Sequence, residues 1–331
     1  MKMIAFSVRD DEEPFFREWS TKNNIQVDLI KDPLTDETMD KINGHDAVLA
    51  LQTGEYPKSL FNKAQSLGIK VFSIRNVGVD NVDLKEASAN NIAVTNVPAY
   101  SPTAIAEFSV TLLLQLLRKI DNFRKRSEQQ DFRWEGNVGQ EIHDKTIGVI
   151  GTGRIGKAAI SIYRGFGAKI VAYDPYTDSK LAAEGIYVDS KEELYQKADI
   201  ITLHMPASLK DKHMIDAQAI SEMKDGVYLI NTARGLLIDT AALIDGLKSG
   251  KVAGAGLDTY ENESPLFNHD LRGKEIKDPL FNELRELENV IVTPHVAFYT
   301  DTAVKNMVRL SLNSAKSVIE TGTADSIVNA E

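Results

Sequence analysis

The sequence has no cysteine, which excludes disulfides, thiolate metal sites and cysteine nucleophiles. Positive charge is also in deficit: 38 Lys and Arg stand against 48 Asp and Glu, a formal net charge of −10. A surface of that sign repels nucleic-acid phosphates and anionic lipid headgroups, so neither nucleic acid nor a membrane surface is an expected partner. Long hydrophobic runs are missing too. The run 112–117 is interrupted by Gln115 and followed by Arg118-Lys119, far short of the ~20 apolar residues a membrane-spanning helix needs. The apolar run at 3–8 is too short for the core of an export signal and leads into Arg9-Asp10-Asp11-Glu12-Glu13, so the expected compartment is the cytoplasm. No internal repeat, low-complexity tract or Pro-rich linker interrupts the chain. What is present is the composition of a globular protein, 43% hydrophobic and 26% charged, and its 331 residues fit two domains rather than one.

Short apolar runs alternate with longer mixed stretches. Residues 3–8, 26–30, 47–51, 70–74 and 92–95 are expected strands with helices between them, a rhythm that predicts a parallel sheet covered on both faces. An amphipathic segment from Pro102 to about Gln129 follows, with Ile105, Phe108, Leu112, Leu116 and Leu117 on one side, and predicts one long helix. A second series of strands is expected at 146–150, 169–173, 200–204, 227–231, 252–257 and 290–293. The last helical stretch, 302–319, has no sheet of its own left to cover and is expected to return to the first domain. The expected fold is α/β: two doubly wound, Rossmann-like parallel-sheet domains, residues 1–100 plus 300–331 and residues 101–299. Two crossings between them, near Tyr100 and Phe298, predict a cleft with hinged walls.

The sharpest local signal is Gly151-Thr152-Gly153-Arg154-Ile155-Gly156, directly after an expected strand and opening an expected helix. Gly151 and Gly153 permit a tight turn and close approach of backbone to a pyrophosphate seated on the helix N-terminus, and Gly156 lets helix and strand pack closely. The pattern alone is weak. The next strand, however, runs into Asp174, at about the spacing where a carboxylate meets the adenosine ribose hydroxyls. That carboxylate repels a 2′-phosphate, which favours NAD over NADP.

A nicotinamide reaction also moves a proton, and histidine suits that task. Of His45, His143, His204, His213, His269 and His295, only His295 lies in a Pro-His turn closing an apolar strand, where ligands of open α/β sheets bind. His204 also ends a strand, but Pro206 beside it suggests a loop wall against the cofactor. The other four, in polar or helical settings, are expected to be solvated. Arg234, after the strand 227–231, could grip a carboxylate with its planar fork. Asp258, Glu261 and Glu263 follow the strand 252–257, and one of them could orient His295. Side-chain chemistry alone does not choose among the three.

These residues stand in six ordered motifs: Arg75-Asn76-Val77-Gly78-Val79-Asp80-Asn81, Asn96-Val97-Pro98-Ala99-Tyr100-Ser101-Pro102, the glycine loop, Asn231-Thr232-Ala233-Arg234-Gly235, Asp258-Thr259-Tyr260-Glu261, and Thr293-Pro294-His295 followed by Ala297-Phe298-Tyr299. Together they resemble the D-isomer-specific 2-hydroxyacid dehydrogenase family, and within it the D-lactate dehydrogenase branch, along nearly the whole chain. The resemblance implies that Glu263 pairs with His295 and that Arg234 binds substrate, making these three the catalytic set. It implies that the amides of Val77 and Gly78 hold the substrate carboxylate, with Leu51, Tyr100 and Phe298 lining the pocket. Cofactor contacts map by the same resemblance to Arg154, Ile155, Asp174, Met205, Pro206, Thr232, Ala233 and, near the nicotinamide, Asp258, beside the glycines already named. No metal is implied, and a homodimer through the NAD-binding domain is.

Two positions depart from the family pattern. Leu51 stands where lactate-specific members commonly carry a tyrosine, which implies room for acids bulkier than pyruvate. Asp211 replaces a usual asparagine. The expected activity is reversible, NAD-dependent reduction of a small 2-oxo acid, pyruvate or a larger analogue such as 2-oxoisocaproate, to the D-2-hydroxy acid. The contrasting class is an NAD-sensing binding protein, since relatives of the family act as corepressors and fold does not fix function.

Overall fold

The computed structural model describes residues 1–52 and 54–329. The chain divides into two compact units, Met1–Ser101 with Tyr299–Glu331, and Pro102–Phe298.

In the first unit five strands, β1 (Lys2–Ala5), β2 (Gln26–Leu29), β3 (Ala47–Ala50), β4 (Val71–Ile74) and β5 (Ala93–Thr95), form an all-parallel sheet in the order β2-β1-β3-β4-β5. Successive side chains on a strand point to opposite faces. Accordingly Ile4, Val48, Phe72, Ile74 and Val94 enter one buried cluster, while Met3, Ala5, Ala47, Leu49 and Val71 enter another. The second cluster is closed by the helix Asp301–Thr321, whose buried Val304, Val308, Leu312, Ala315 and Val318 recur at helical spacing. Thr300 caps its N-terminus by accepting from Ala303 N, and Gly322 ends it in the left-handed region. The chain then returns beside β5, where Thr95 bridges Ile327 antiparallel.

In the second unit six strands, β6 (Thr146–Ile150), β7 (Lys169–Tyr173), β8 (Ile200–Leu203), β9 (Val227–Asn231), β10 (Val252–Leu257) and β11 (Val290–Val292), give the order β11-β10-β9-β8-β6-β7, again all parallel. A single parallel bridge from Ala172 to Tyr187 extends the β7 edge. With that bridge counted as a rudimentary strand, the order is that of a doubly wound dinucleotide fold, reversing direction between β6 and β8. Alternation again makes two cores: Ile147, Val149, Ile200 and Ile230 face one, and Ile150, Ile201, Leu203 and Leu229 the other.

The single helix expected from Pro102 to Gln129 is instead two, Pro102–Leu117 and Ile120–Glu128. Lys119 between them is left-handed at φ 51°, and the freed carbonyl of Leu117 accepts from Gln140 N at 2.9 Å. The amphipathic stripe continued past the break, but the backbone did not. Among the described residues no helix is long and apolar enough to cross a membrane, and no group of His, Asp and Glu could hold a metal ion.

Candidate active site

The proposed cofactor and catalytic residues of the second unit lie at or beyond the carboxyl ends of its strands. Gly151 follows β6, Asp174 follows β7, and His204, Met205 and Pro206 follow β8. Thr232, Ala233 and Arg234 follow β9, Asp258 follows β10, and His295 follows β11. The sheet's geometry therefore gathers side chains far apart in sequence along one edge.

The β6 turn is shaped for a phosphate-bearing ligand. Gly151 sits at φ 93°, and a Cβ there would lie 2.7 Å from the His204 carbonyl atoms and 2.8 Å from Met205 N. A Cβ on Gly156 would lie 1.9 Å from the Gly151 carbonyl oxygen, whereas the space around Gly153 is open. Gly153 is also the N-cap of the helix Arg154–Gly165, so its open face adjoins the N–H groups of that first turn. Asp174 is fixed beside the turn: Oδ2 accepts from Thr152 N at 2.6 Å and from Thr152 Oγ1 at 3.1 Å, and Oδ1 accepts from Tyr176 N at 2.8 Å. Buried polar atoms without a protein partner stand along the same edge, namely His204 Nδ1, Thr232 Oγ1 and Thr259 Oγ1. A glycine cradle, a fixed carboxylate and a row of unpaired polar atoms suit a dinucleotide that brings its own hydroxyl, amide and phosphate partners. His204 itself is held neutral, burial pushing its pKa down to about 4. Its Nε2 lies 2.9 Å from Thr202 Oγ1.

The three acids left open by side-chain chemistry separate cleanly. Glu263 Oε1 lies 2.7 Å from His295 Nδ1, and its Oε2 accepts from Tyr260 N at 3.0 Å. Glu261 turns to a different histidine, with Oε2 2.9 Å from His213 Nε2. Asp258 is fully buried and supports the turn that carries His295. Its Oδ1 accepts from Thr293 Oγ1 at 2.6 Å and Val296 N at 2.9 Å, its Oδ2 from Ala297 N at 2.8 Å, and its carbonyl from His295 N at 2.8 Å. Burial pushes the Asp258 carboxyl above its ordinary range, against the pull of these bonds and of nearby His295. His295 is left-handed at φ 56°, a conformation a side-chain-bearing residue keeps only when its surroundings impose it. Arg234 donates from Nη1 to the Ala233 carbonyl at 2.9 Å, and Asn231 braces the same turn through Ala233 N and the Arg234 carbonyl.

In the first unit Leu51 follows β3, Asn76, Val77 and Gly78 lie just beyond β4, and Tyr100 follows β5. Asn96 Nδ2 donates to the Val77 carbonyl at 2.7 Å and Asn306 Nδ2 to that of Tyr100, also at 2.7 Å, which pins both segments by their backbones. Phe298 is half-buried at the end of the second unit.

Of the four histidines expected to be solvated, one is buried and another is half-buried and paired with acids. His45 is buried, its Nε2 3.0 Å from Asp28 Oδ2, and His213 is flanked by Glu261 and Asp239. Both stand in polar sequence settings, and their acid partners lie 17 or more residues away. Asp211 acquires a physical account: its Oδ2 accepts from Ser208 N and Oγ, closing a capping box around the turn Leu209–Asp211. The Ser-x-x-Asp spacing carried that signal. The Tyr187 hydroxyl, 2.7 Å from Thr152 Oγ1 and accepting from Asp178 N, left no trace in the sequence.

Comparison with known proteins shows the family of the chain. The profile of the "D-isomer specific 2-hydroxyacid dehydrogenase, NAD binding domain" matches residues 110–297. A protein named D-lactate dehydrogenase from Lactiplantibacillus plantarum is 52% identical over 329 residues, 99% of each chain. Among solved structures, a D-2-hydroxyisocaproate dehydrogenase superposes with a TM-score of 0.92 at 40% identity over 100% of both chains. The NAD-complexed D-isomer specific 2-hydroxyacid dehydrogenase of Lactobacillus delbrueckii ssp. bulgaricus does so with a TM-score of 0.89 at 36% identity, covering 99% of this chain and 100% of that one. With a dinucleotide cradle and a histidine–carboxylate pair on one sheet edge, the chain belongs to the D-isomer specific 2-hydroxyacid dehydrogenase family and is an NAD-dependent oxidoreductase.

Proposed function

We propose that the protein reversibly reduces a 2-oxo acid to the D-2-hydroxy acid, with pyruvate and D-lactate as the first pair to test. The observation that carries this reading is the 2.7 Å contact between His295 Nδ1 and Glu263 Oε1 on the edge that also bears Arg234. The nicotinamide cofactor, when bound, supplies or accepts the hydride. With Nδ1 committed to Glu263, Nε2 of His295 is the nitrogen that gives a proton to the carbonyl oxygen in reduction and takes it back in oxidation. Glu263 cannot rotate away without losing Tyr260 N, so it holds the aim of the ring. Arg234 is assigned to the substrate carboxylate, through two charge-assisted hydrogen bonds that fix the acid's orientation. The amides of Val77 and Gly78 are assigned to the same carboxylate, and Leu51, Tyr100 and Phe298 to the side chain of the acid. Gly151, Gly153, Arg154, Ile155 and Gly156 are assigned to the pyrophosphate, Asp174 to the adenosine ribose, and Met205, Pro206, Thr232 and Ala233 to the rest of the dinucleotide. We assign Asp258 to holding the His295 turn beside the nicotinamide. Steady consumption of NADH with pyruvate, and chiral analysis showing D-lactate, test the reading. No consumption with any 2-oxo acid would leave a nucleotide-sensing protein instead.

Leu51 favours a second reading, turnover of bulkier acids, and similarity to a D-2-hydroxyisocaproate dehydrogenase supports it. We further propose a homodimer formed through the second unit. Ile120, Phe132, Trp134 and Val138, all within the segment 120–138, are exposed large apolar side chains that a second copy would cover. Sedimentation equilibrium of wild type and Trp134→Asp tests it, and a wild-type monomer at micromolar concentration would refute it.

A further inference from the structure

We infer that His213 and Glu261 form a positioning brace that sets the Arg234 loop against the loop carrying Glu263. The inference rests on the proposed reaction for its effect on turnover.

The segment holding His213 runs beside the chain that leaves Arg234. His213 N donates to the Leu236 carbonyl at 2.9 Å, Ile215 N to that of Leu237 at 2.9 Å, and Asp239 N to that of Ile215 at 3.0 Å. His213 is left-handed at φ 54°, so its backbone is held in a conformation its own side chain disfavours. From this fixed point the ring meets two carboxylates. Nε2 lies 2.9 Å from Glu261 Oε2, and Nδ1 lies 3.5 Å from Asp239 Oδ2. The other oxygen of Glu261 accepts from Thr240 N at 3.2 Å. Glu261 thus ties its own loop to the His213 segment and to the start of the helix Thr240–Ser249.

The two loops also touch directly. A Cβ on Gly235 would lie 2.0 Å from the Tyr260 carbonyl carbon and 2.4 Å from Glu261 N, so the backbone after Arg234 is pressed onto the backbone before Glu263. Tyr260 N in turn holds Glu263 Oε2, and Glu263 holds His295. A displacement at Glu261 therefore passes through one residue to the carboxylate that aims His295, and through the Gly235 contact to Arg234. None of the proposed substrate or cofactor contacts uses His213 or Glu261, which makes them positioning residues.

The test compares wild type, Glu261→Gln, His213→Ala and His213→Gln in steady-state reduction of pyruvate, NADH affinity by fluorescence, and amide hydrogen exchange. Expected in Glu261→Gln and His213→Ala are a fall in kcat/KM for pyruvate of about tenfold to a hundredfold, NADH affinity within about twofold of wild type, and faster exchange at 234–237 and 260–263. His213→Gln, whose amide can still donate to Glu261, should recover most of the loss. If His213→Ala fails to fold, the isosteric Glu261→Gln decides alone. Unchanged exchange at both segments, wild-type kcat/KM, or NADH affinity falling in step with activity would overturn the brace. A wild type inert towards every 2-oxo acid would overturn the proposed reaction, and the exchange measurement would still judge the brace.

Discussion

Thr293 Oγ1 donates a 2.6 Å hydrogen bond to Asp258 Oδ1, tying the end of β11 to the end of β10. Val296 N and Ala297 N reach the same carboxylate at 2.9 and 2.8 Å, so the segment bearing His295 is wrapped around a buried acid. Asparagine there would offer one acceptor oxygen and turn an NH2 group toward donors. Asp258→Asn is expected to lose about 1–3 kcal/mol of stability, the cost of an unsatisfied buried group. It should also lower kcat about tenfold or more, since the His295 turn loses its anchor. Denaturant melts and steady-state kinetics check both, and a variant with full stability and full kcat would show that the turn holds its shape without the charge.

Removal of His295, the proposed proton-moving group, should separate chemistry from binding. His295→Gln is expected to lose about 10²–10⁴-fold in kcat, the usual worth of a positioned general acid, while binding NADH as wild type does. Glu263→Gln keeps an acceptor for Tyr260 N but loses the charge facing His295, and should fall between the two. Equal kcat in wild type and His295→Gln would remove His295 from the mechanism.

Cofactor choice should rest on Asp174, whose carboxylate is immobilised by Thr152 and Tyr176. A small neutral residue removes the charge that would repel a 2′-phosphate. Asp174→Ser is therefore expected to raise kcat/KM with NADPH about tenfold while weakening NADH. Wild-type turnover equal with both nucleotides would contradict the assignment.

Much of this was legible because strand pattern and loop chemistry agree in the sequence. The runs at 146–150, 169–173, 227–231 and 252–257 are the observed strands residue for residue, and each stops at a polar or glycine position, Gly151, Asp174, Thr232 and Asp258. The run at 3–8 overshot. Phe6 and Val8 are buried as the pattern requires, but the strand stops at Ala5 and Ser7 turns left-handed at φ 52°. Apolar pattern reports burial, and a single backbone reversal leaves it intact. Lys119 hid the helix break for the same reason. The site divides likewise: Gly151 and Asp174 announce themselves by spacing, whereas the pairing of Glu261 with His213, 48 residues apart, is a product of tertiary packing that no local pattern records.

The place proposed for Leu51, against the side chain of the acid, bears on which acid should be turned over. Leucine leaves more room than tyrosine, and a methylene's worth of apolar fit is worth about 1–3 kcal/mol, or roughly 10–200-fold in discrimination. Measurable turnover of 2-oxoisocaproate and phenylpyruvate is expected of wild type, with Leu51→Tyr shifted toward pyruvate. A panel of 2-oxo acids of increasing size checks this, and a wild type confined to pyruvate would remove Leu51 as the determinant.

His204 should give stability a pH dependence that its replacement abolishes. In the native state burial holds its pKa near 4, while in the unfolded chain it titrates at its ordinary value of about 6.5. Above 6.5 neither state is protonated at this group, and it contributes no slope. Between 6.5 and 4 the unfolded chain binds the proton and the native state does not, so acidification favours unfolding. Below 4 both bind it and the slope from this residue ends. At about 1.4 kcal/mol per pH unit, lowering the pH from 7.5 to 5 should cost wild type about 2 kcal/mol through His204 alone. Carboxylates titrate near the lower end of that range as well, so the informative quantity is the difference between wild type and His204→Gln, which can keep a hydrogen bond to Thr202. Urea melts at half-unit steps from pH 7.5 to 5 should show the two stability curves converging as the pH falls, with wild type losing about 2 kcal/mol more. Parallel curves would mean that His204 takes up its proton in the native state.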